Sequence, residues 1–315
     1  MRNSSSHLAS YHKGELAAQD RAGFREHADH LRPIISDRLP RGARDFLADL
    51  RFLVVGATAP DGQMWASMVY GQPGFLQALG PREVLIGARF LDVDPLAAVL
   101  AAPALVGTLA IDLTNRRRLR INGRTVPAAG GLRLSVDQAY GNCPKYIQSR
   151  EPQEAAPALR KPQVSESSEL LPEQRRMIDI ADTFFIASAA TAGDADASHR
   201  GGNPGFVSSL SPQRVQWPDY EGNTMLMTLG NLTVNPDAGL LFIDWKVGRT
   251  LHLTGTAVID WSADTAAEFP GAERTVEFQV AKVVQIDHPD GALVSSAPQY
   301  SRFNPPVAPA TPEGP

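Results

Sequence analysis

The 315-residue chain has a single cysteine, Cys143, so no disulfide can form within it, and such thiol usage suits a reducing compartment. It also has no strong excess of either charge: 30 Lys and Arg stand against 34 Asp and Glu, a formal net charge of −4. Phosphate-backbone binding needs clustered bases, so no nucleic-acid partner is expected. No apolar run reaches the roughly 18 residues that span a bilayer, which excludes a membrane partner of the helical kind. Charges interrupt the stretch from Met1 to Asp49 throughout, so it has no signal-peptide core. These absences predict a cytoplasmic location. Histidine is sparse as well: His27 and His30 read either as two exposed histidines of one helix or as a metal pair. No further Cys, His or carboxylate grouping completes a site, and no metal is expected.

What the chain does contain is the same pattern twice. Pro73-Gly74-Phe75-Leu76 returns as Pro204-Gly205-Phe206-Val207, Gly107-Thr-Leu-Ala-Ile-Asp112 as Gly239-Leu-Leu-Phe-Ile-Asp244, and Arg118-Leu-Arg-Ile-Asn-Gly123 as Thr250-Leu-His-Leu-Thr-Gly255. So long a period, kept in register with about one inserted residue, indicates a duplicated domain and not a solenoid. The predicted organisation is a helical arm over 1–39, a first repeat over 40–150, a linker over 151–170, a second repeat over 171–287 and a mobile Pro-rich tail over 288–315.

In the arm, Glu15 to Leu31 reads as one helix. Each repeat opens on a helix introduced by Leu39-Pro40 or Leu171-Pro172. Apolar, β-favouring runs follow at Phe52–Thr58, Val106–Leu113, Leu119–Asn122 and Leu132–Ala139, and at Phe184–Ala189, Arg214–Trp217, Gly239–Trp245, Thr250–Asp260 and Arg274–Val284. Pro95–Leu100 and Thr224–Leu232 read as helices ahead of the central strands. Many short strands with few helices predict a mainly β fold of two small barrels with flanking helices.

Differences between the copies point to function. Only the first copy carries Gly141-Asn142-Cys143-Pro144-Lys145-Tyr146-Ile147-Gln148, which sets donors, a cation and a ring within eight residues as a ligand-facing loop. Cys143 within it reads as a buried structural thiol or as a reactive one favoured by Lys145. In the second copy, Ser198, His199 and Arg200 stand opposite Ser67, Met68 and Val69, so His and Arg appear only there. Trp217-Pro218-Asp219-Tyr220-Glu221-Gly222-Asn223-Thr224 precedes a predicted helix. Its free N–H groups, with the Asn223 and Thr224 side chains and the Arg200 guanidinium, form a candidate phosphate site. The alternative is a pair of ordinary polar loops with a helix cap at Asn223 or Thr224. The run Arg116-Arg117-Arg118 with Arg120 reads as a solvated turn or as an anion contact.

These strings resemble the pyridoxamine 5′-phosphate oxidase-like family of FMN-binding split barrels. Asn235-Pro-Asp-Ala-Gly-Leu-Leu-Phe-Ile-Asp-Trp245, then Gly248-Arg249-Thr250-Leu-His-Leu-Thr-Gly255, is similar to that family's strand motifs. Ala197-Ser198-His199-Arg200 and Trp217-Pro-Asp-Tyr220 with Gly222-Asn223 fall where it has its phosphate-binding strings. The resemblance implies a tandem duplicated split β-barrel of the FMN-binding type, forming an intrachain pseudo-dimer that can itself pair as a homodimer. It implies FMN held by Ser198, His199, Arg200, Trp217, Asp219, Tyr220, Gly222, Asn223, Thr224, Arg249 and Thr250. The first copy would supply the cross-interface wall through Asn142, Lys145 and Tyr146. Because the family's basic clamp is absent, the phosphate would rest on one arginine, helix-end N–H groups and neutral side chains. The implied activity is FMN-dependent oxidation or reduction of a small molecule, with a nicotinamide or protein electron donor. The competing readings are a non-catalytic flavin- or haem-binding protein, with His199 or His252 as the iron ligand, and a barrel with no cofactor at all.

Overall fold

The computed structural model describes residues 11–153, 161–190, 194–288 and 293–307. Its two sheets have the same strand order. The first contains β1 (Phe52–Thr58), β2 (Met64–Tyr70), β3 (Leu76–Gly80), β4 (Glu83–Ile86), β5 (Ala104–Asp112), β6 (Arg117–Ala128) and β7 (Gly131–Gly141), in the order β2-β1-β5-β6-β7-β4-β3. The second adds β8 (Gln163–Ser167) to β9 (Thr183–Ala189), β10 (Ala195–Gly201), β11 (Ser208–Ser211), β12 (Arg214–Tyr220), β13 (Asp237–Asp244), β14 (Arg249–Asp260) and β15 (Ala272–Asp287). Its path is β10-β9-β13-β14-β15-β12-β11. The chain is therefore mainly β, a tandem duplicated split barrel with flanking helices.

Side-chain alternation explains how the two barrels meet. Along β9 every residue is buried because both faces are covered: Phe184 and Ile186 enter the barrel's own core, whereas Phe185, Ala187 and Ala189 enter a second core. That second core also takes Val54, Met64, Ala66, Met68, Leu109 and Ile111 from the first repeat. The contacts across it are reciprocal, as at an isologous interface. Arg120 Nε donates to Ala197 O at 3.0 Å, and the equivalent His252 Nδ1 lies 3.1 Å from Ala66 O. Gly107 lies on the backbone of Asp196, and Gly239 on that of Ala66. The chain is an intrachain pseudo-dimer.

Several elements differ from the sequence expectations. The arm helix is two helices, α1 (Lys13–Ala22) and α2 (Arg25–Leu31), because Gly23 closes the first in the left-handed region, φ 72°. In the first repeat, α3 (Ala43–Asp49) begins after Pro40 and not on it, whereas α4 (Pro172–Asp179) does carry proline in its first turn. Pro95–Leu100 yields only a short 3-10 turn at Val99–Ala101. The helix expected from Thr224 is α5 (Met227–Val234), delayed by Leu226 at φ 55°. Farther on, α6 (Ala263–Ala267) is capped by Ser262. The stretch read as a linker contains β8, paired with β15; residues 154–160 lie outside the described residues.

The tail, expected to be mobile, is docked over 293–307. Gln299 bridges Ser149, and Ser301 N and Asn304 Nδ2 both donate to Gln148 Oε1, at 2.8 and 3.0 Å. Residues 289–292 and 308–315 of the tail lie outside the described residues. Among the described residues no helix is long and apolar enough to cross a membrane.

The arm packs α1 on α5 at backbone contact: a Cβ on Gly14 would fall 2.2 Å from Gly230 O. This closeness buries Glu15, and burial raises its carboxyl to about 8, helped by the charge of Asp196. A carboxyl protonated in the fold but ionised when unfolded loses stability for the fold as pH rises from its unfolded value through about 8. Glu15→Gln is therefore expected to gain on the parent by roughly 2 kcal/mol or more between pH 5 and pH 8. Urea denaturation at the two pH values measures this, and a pH-independent difference would contradict it.

Candidate functional site

Both repeats contribute to one cleft. The first supplies β6 and the loop after β7, through Arg118, Arg120, Asn142, Lys145 and Tyr146; the second supplies β10, the end of β12 and the start of α5. The cleft encloses about 110 Å³ before opening into a wider mouth. That is below the roughly 150 Å³ of a cavity that takes up benzene, so the enclosed part suits one compact group.

Three guanidinium groups converge there. Arg118 and Arg120 alternate along β6 and share a face. Arg120 is fully engaged: Nη1 lies 2.9 Å from Asp196 Oδ2 and 2.7 Å from Tyr140 Oη, and Nη2 donates to Ser198 Oγ. It ties the halves together. Arg118 Nε donates to Cys143 O at 2.8 Å, which fixes the loop that carries Asn142, and this loop role is where the structure places Cys143. Burial, with Arg120 and Arg200 nearby, lowers Arg118 to about 9. Arg200 is lowered too, first by burial; Asp219 Oδ1 is 3.8 Å away, and Arg200 Nε finds no hydrogen-bond partner among the described residues. Cations pushed toward deprotonation in this way form a site short of negative charge.

His199 lies edge-on to Phe185 at 5.8 Å, and its Nε2 has no hydrogen-bond partner among the described residues. Burial and the charges of Arg118, Arg200 and Arg150 hold its pKa well below the usual histidine value, so the ring is neutral at pH 7. Ser198 Oγ is 2.8 Å from Thr228 Oγ1.

The mouth is latched across the two halves. Asn223 Nδ2 donates to Asn142 Oδ1 at 3.0 Å, Lys145 Nζ to Glu221 Oε2 at 2.8 Å and Tyr146 Oη to Glu221 O at 2.9 Å, while Tyr146 lies 5.3 Å from Tyr220. Of the four non-glycine residues with positive φ among the described residues, Tyr146, Thr224 and Leu226 line this cleft, at 66°, 58° and 55°. Such conformations cost energy and cluster at ligand sites.

Of the residues singled out in the sequence, Ser198, His199, Arg200, Asp219, Tyr220, Gly222, Asn223, Thr224, Asn142, Lys145 and Tyr146 line the cleft. Three do not. Trp217 is core, 5.2 Å from Phe184 and 1% exposed. Arg249 pairs with Asp287 at 2.5 Å, and Thr250 is buried between His252 and His288. Asn223 and Thr224 also precede α5 by several residues, so they are not its first-turn donors: Asn223 Oδ1 instead accepts from Met225 N at 3.2 Å. Both ring nitrogens of His252 are engaged, by Ala66 O and Thr250 Oγ1, which removes it as an iron ligand.

Arg118 and Arg120, read in the sequence as a solvated turn or an anion contact and left out of the cofactor set, also line the cleft beside Arg200. Their signal was present, since the equivalent positions in the second copy are Thr250 and His252.

No family model matches the chain, and no curated protein does. Solved structures do show similarity. HupZ from Group A Streptococcus is 10% identical over 35% of this chain and 90% of its own, with a TM-score of 0.29. An FMN-binding protein from Syntrophomonas wolfei is 8% identical over 36% and 84%, with 0.28. The FAD binding protein from Mycobacterium smegmatis is 11% identical over 39% and 100%, also with 0.28.

Proposed function

We propose that the chain is a flavoprotein that holds FMN in the cleft between its halves and acts as an oxidoreductase on a small molecule. The observation that carries this reading is the convergence of Arg118, Arg120 and Arg200 in a cleft whose buried donors, Arg200 Nε and Asn142 Nδ2, have no acceptor among the described residues. A phosphate supplies acceptors and negative charge together, and guanidinium groups match its geometry.

In this reading Arg200 and Arg118 hold the phosphate, Asn142 and Asn223 adjoin it, and Tyr146, Tyr220 and Met227 flank the rest of the cofactor. Flavin, when bound, supplies one- and two-electron transfer. The protein's own part is orientation, charge and exclusion of water. His199, neutral at pH 7, is suited to accept or donate a hydrogen bond but not to act as a cationic acid.

Absorbance and fluorescence titration of the full chain with FMN tests the reading. Lys145→Ala removes the Glu221 pair that latches the mouth and is expected to change FMN affinity or its bound spectrum measurably. An unaltered titration would reject the cross-half wall. A second reading, haem binding without turnover, draws on the unpartnered Nε2 of His199. A Soret band in place of flavin bands would favour it.

A further inference from the structure

The N-terminal arm carries a polar side chain that is wholly buried outside the cleft. Gln19 is 0% exposed and lines no part of the cleft, and its Nε2 donates to Met225 O at 2.9 Å, 206 positions along the sequence. Its helix, α1, runs against α5 in the opposite direction: His12 Nε2 lies 2.8 Å from Asn231 Oδ1, Gly14 faces Gly230 O, and Gln19 reaches Met225 just ahead of α5. Met227, Thr228 and Leu229 of α5 line the cleft, so the arm backs one of its walls.

Met225 occupies a special place in that wall. It stands between Thr224 and Leu226, whose left-handed backbones are costly for residues other than glycine and persist only where their surroundings hold them. Both backbone polar groups of Met225 are engaged: Gln19 donates to its carbonyl, and its N–H donates to Asn223 Oδ1 at 3.2 Å. With its oxygen so used, Asn223 turns its Nδ2 to Asn142 Oδ1, 3.0 Å away in the other half. A line of hydrogen bonds thus runs from the arm through Met225 and Asn223 to the loop of the first repeat. Packing follows the same route, since a small core joins Tyr11, Ala28 and Ile35 of the arm to Tyr140 of the first repeat and to Met225 and Met227 of the second.

We infer that Gln19 is a positioning residue for the cleft: by holding Met225 O it keeps the strained turn at 224–226, and with it the Asn223–Asn142 latch between the halves, in the geometry that takes up the cofactor. The inference rests on the reading of the cleft as the FMN site, and it assigns to the arm a part in binding that no cleft-lining residue of the arm supplies. A ligand site is held to its working geometry by supporting residues whose own hydrogen bonds lock it. Without the bond from Gln19 the turn is free to relax out of its costly conformation, and Asn223 then loses the backbone N–H that fixes the direction of its amide.

The test combines amide hydrogen exchange of the unliganded full chain, read by mass spectrometry over 222–228, with fluorescence titration by FMN. Gln19→Met keeps the bulk of the side chain and removes the donor. It is expected to quicken exchange over 222–228 while leaving β13 as in the parent, and to weaken FMN roughly tenfold. In an Asn223→Ala background, where the line is already broken, the same change should cost roughly twofold or less, whereas a merely structural role gives equal losses in both backgrounds. Tyr11→Phe, which removes a bond to Ala28 O inside the arm, should leave exchange over 222–228 and affinity unchanged. Asn223 is only half-buried, so Asn223→Ala supplies a folded variant should Gln19→Met not fold, and it too should weaken FMN. Parental exchange over 222–228 in folded Gln19→Met, equal losses in the two backgrounds, or unchanged affinity in Asn223→Ala would overturn the inference. A parent chain that takes up no FMN would instead reject the reading of the cleft, and the exchange rates alone would then uphold or overturn the hold of Gln19 on the turn.

Discussion

An Arg200→Ala protein is expected to bind FMN roughly 10- to 100-fold more weakly than the parent, because a charge-assisted contact contributes about 1.5–3 kcal/mol. The fold should survive the change. Arg200 is held only loosely by the protein, with Asp219 at 3.8 Å and a 3.2 Å bond to His199 O, and its loss relieves repulsion with Arg118 and Arg120. Fluorescence titration of FMN reads the affinity, and chemical denaturation confirms that stability is kept. Val69→Ala, at the equivalent position of the first repeat, is the control. Val69 lies in the first barrel's core, so its truncation costs stability without touching the cleft. Equal losses of affinity in the two variants would mean that Arg200 does not meet the ligand.

The largest expected loss of stability follows Gly107→Val, by roughly 3 kcal/mol or more. A Cβ at this position would lie 2.3 Å from Asp196 Cα and 2.4 Å from its N, and a backbone segment cannot rotate away as a side chain can. The two halves would have to separate locally, and Asp196 also carries the buried pair with Arg120 that fixes one wall of the cleft. Loss of FMN affinity should therefore accompany the loss of stability, although Gly107 does not line the cleft. Guanidinium denaturation of the variant checks the first effect and titration of its folded form the second. A denaturation midpoint equal to the parent's would show that the halves do not meet as described.

The strands were legible because their residues alternate between two cores, which keeps both faces apolar: Phe184 and Phe185 are adjacent yet belong to different clusters. A run buried on both sides reads as a strand without reference to anything distant. The start of α5 was not legible, since Leu226 adopts a left-handed conformation that a leucine does not advertise. The tail was misread for a related reason. Its composition is that of a mobile segment, but its backbone is held by Ser149, Gln148 and Asn203, which are distant in sequence.

The cleft was legible in its second-repeat part because the copies diverge there, at Met68/His199 and Val69/Arg200. The misassigned strand has a geometric explanation. Arg249 and Thr250 were taken from the same repeat as Arg200, but the cleft lies across a pseudo-two-fold axis and its strand residues from the other repeat are Arg118 and Arg120. There the alternation of β6 sends Arg118 and Arg120 inward, whereas Arg117 lies over the ring of Phe46. An arginine run beside a turn thus divides into an exposed contact at Arg117, a half-buried cation at Arg118 and a buried one at Arg120.

The central claim is that one anion-seeking cleft, built from both repeats, holds the cofactor. Equilibrium titration of the cofactor-free chain with FMN, counting equivalents bound, tests it most directly. The account predicts one equivalent per polypeptide, lost or strongly weakened in Arg200→Ala. Two equal equivalents, or one that is indifferent to Arg200, would contradict it.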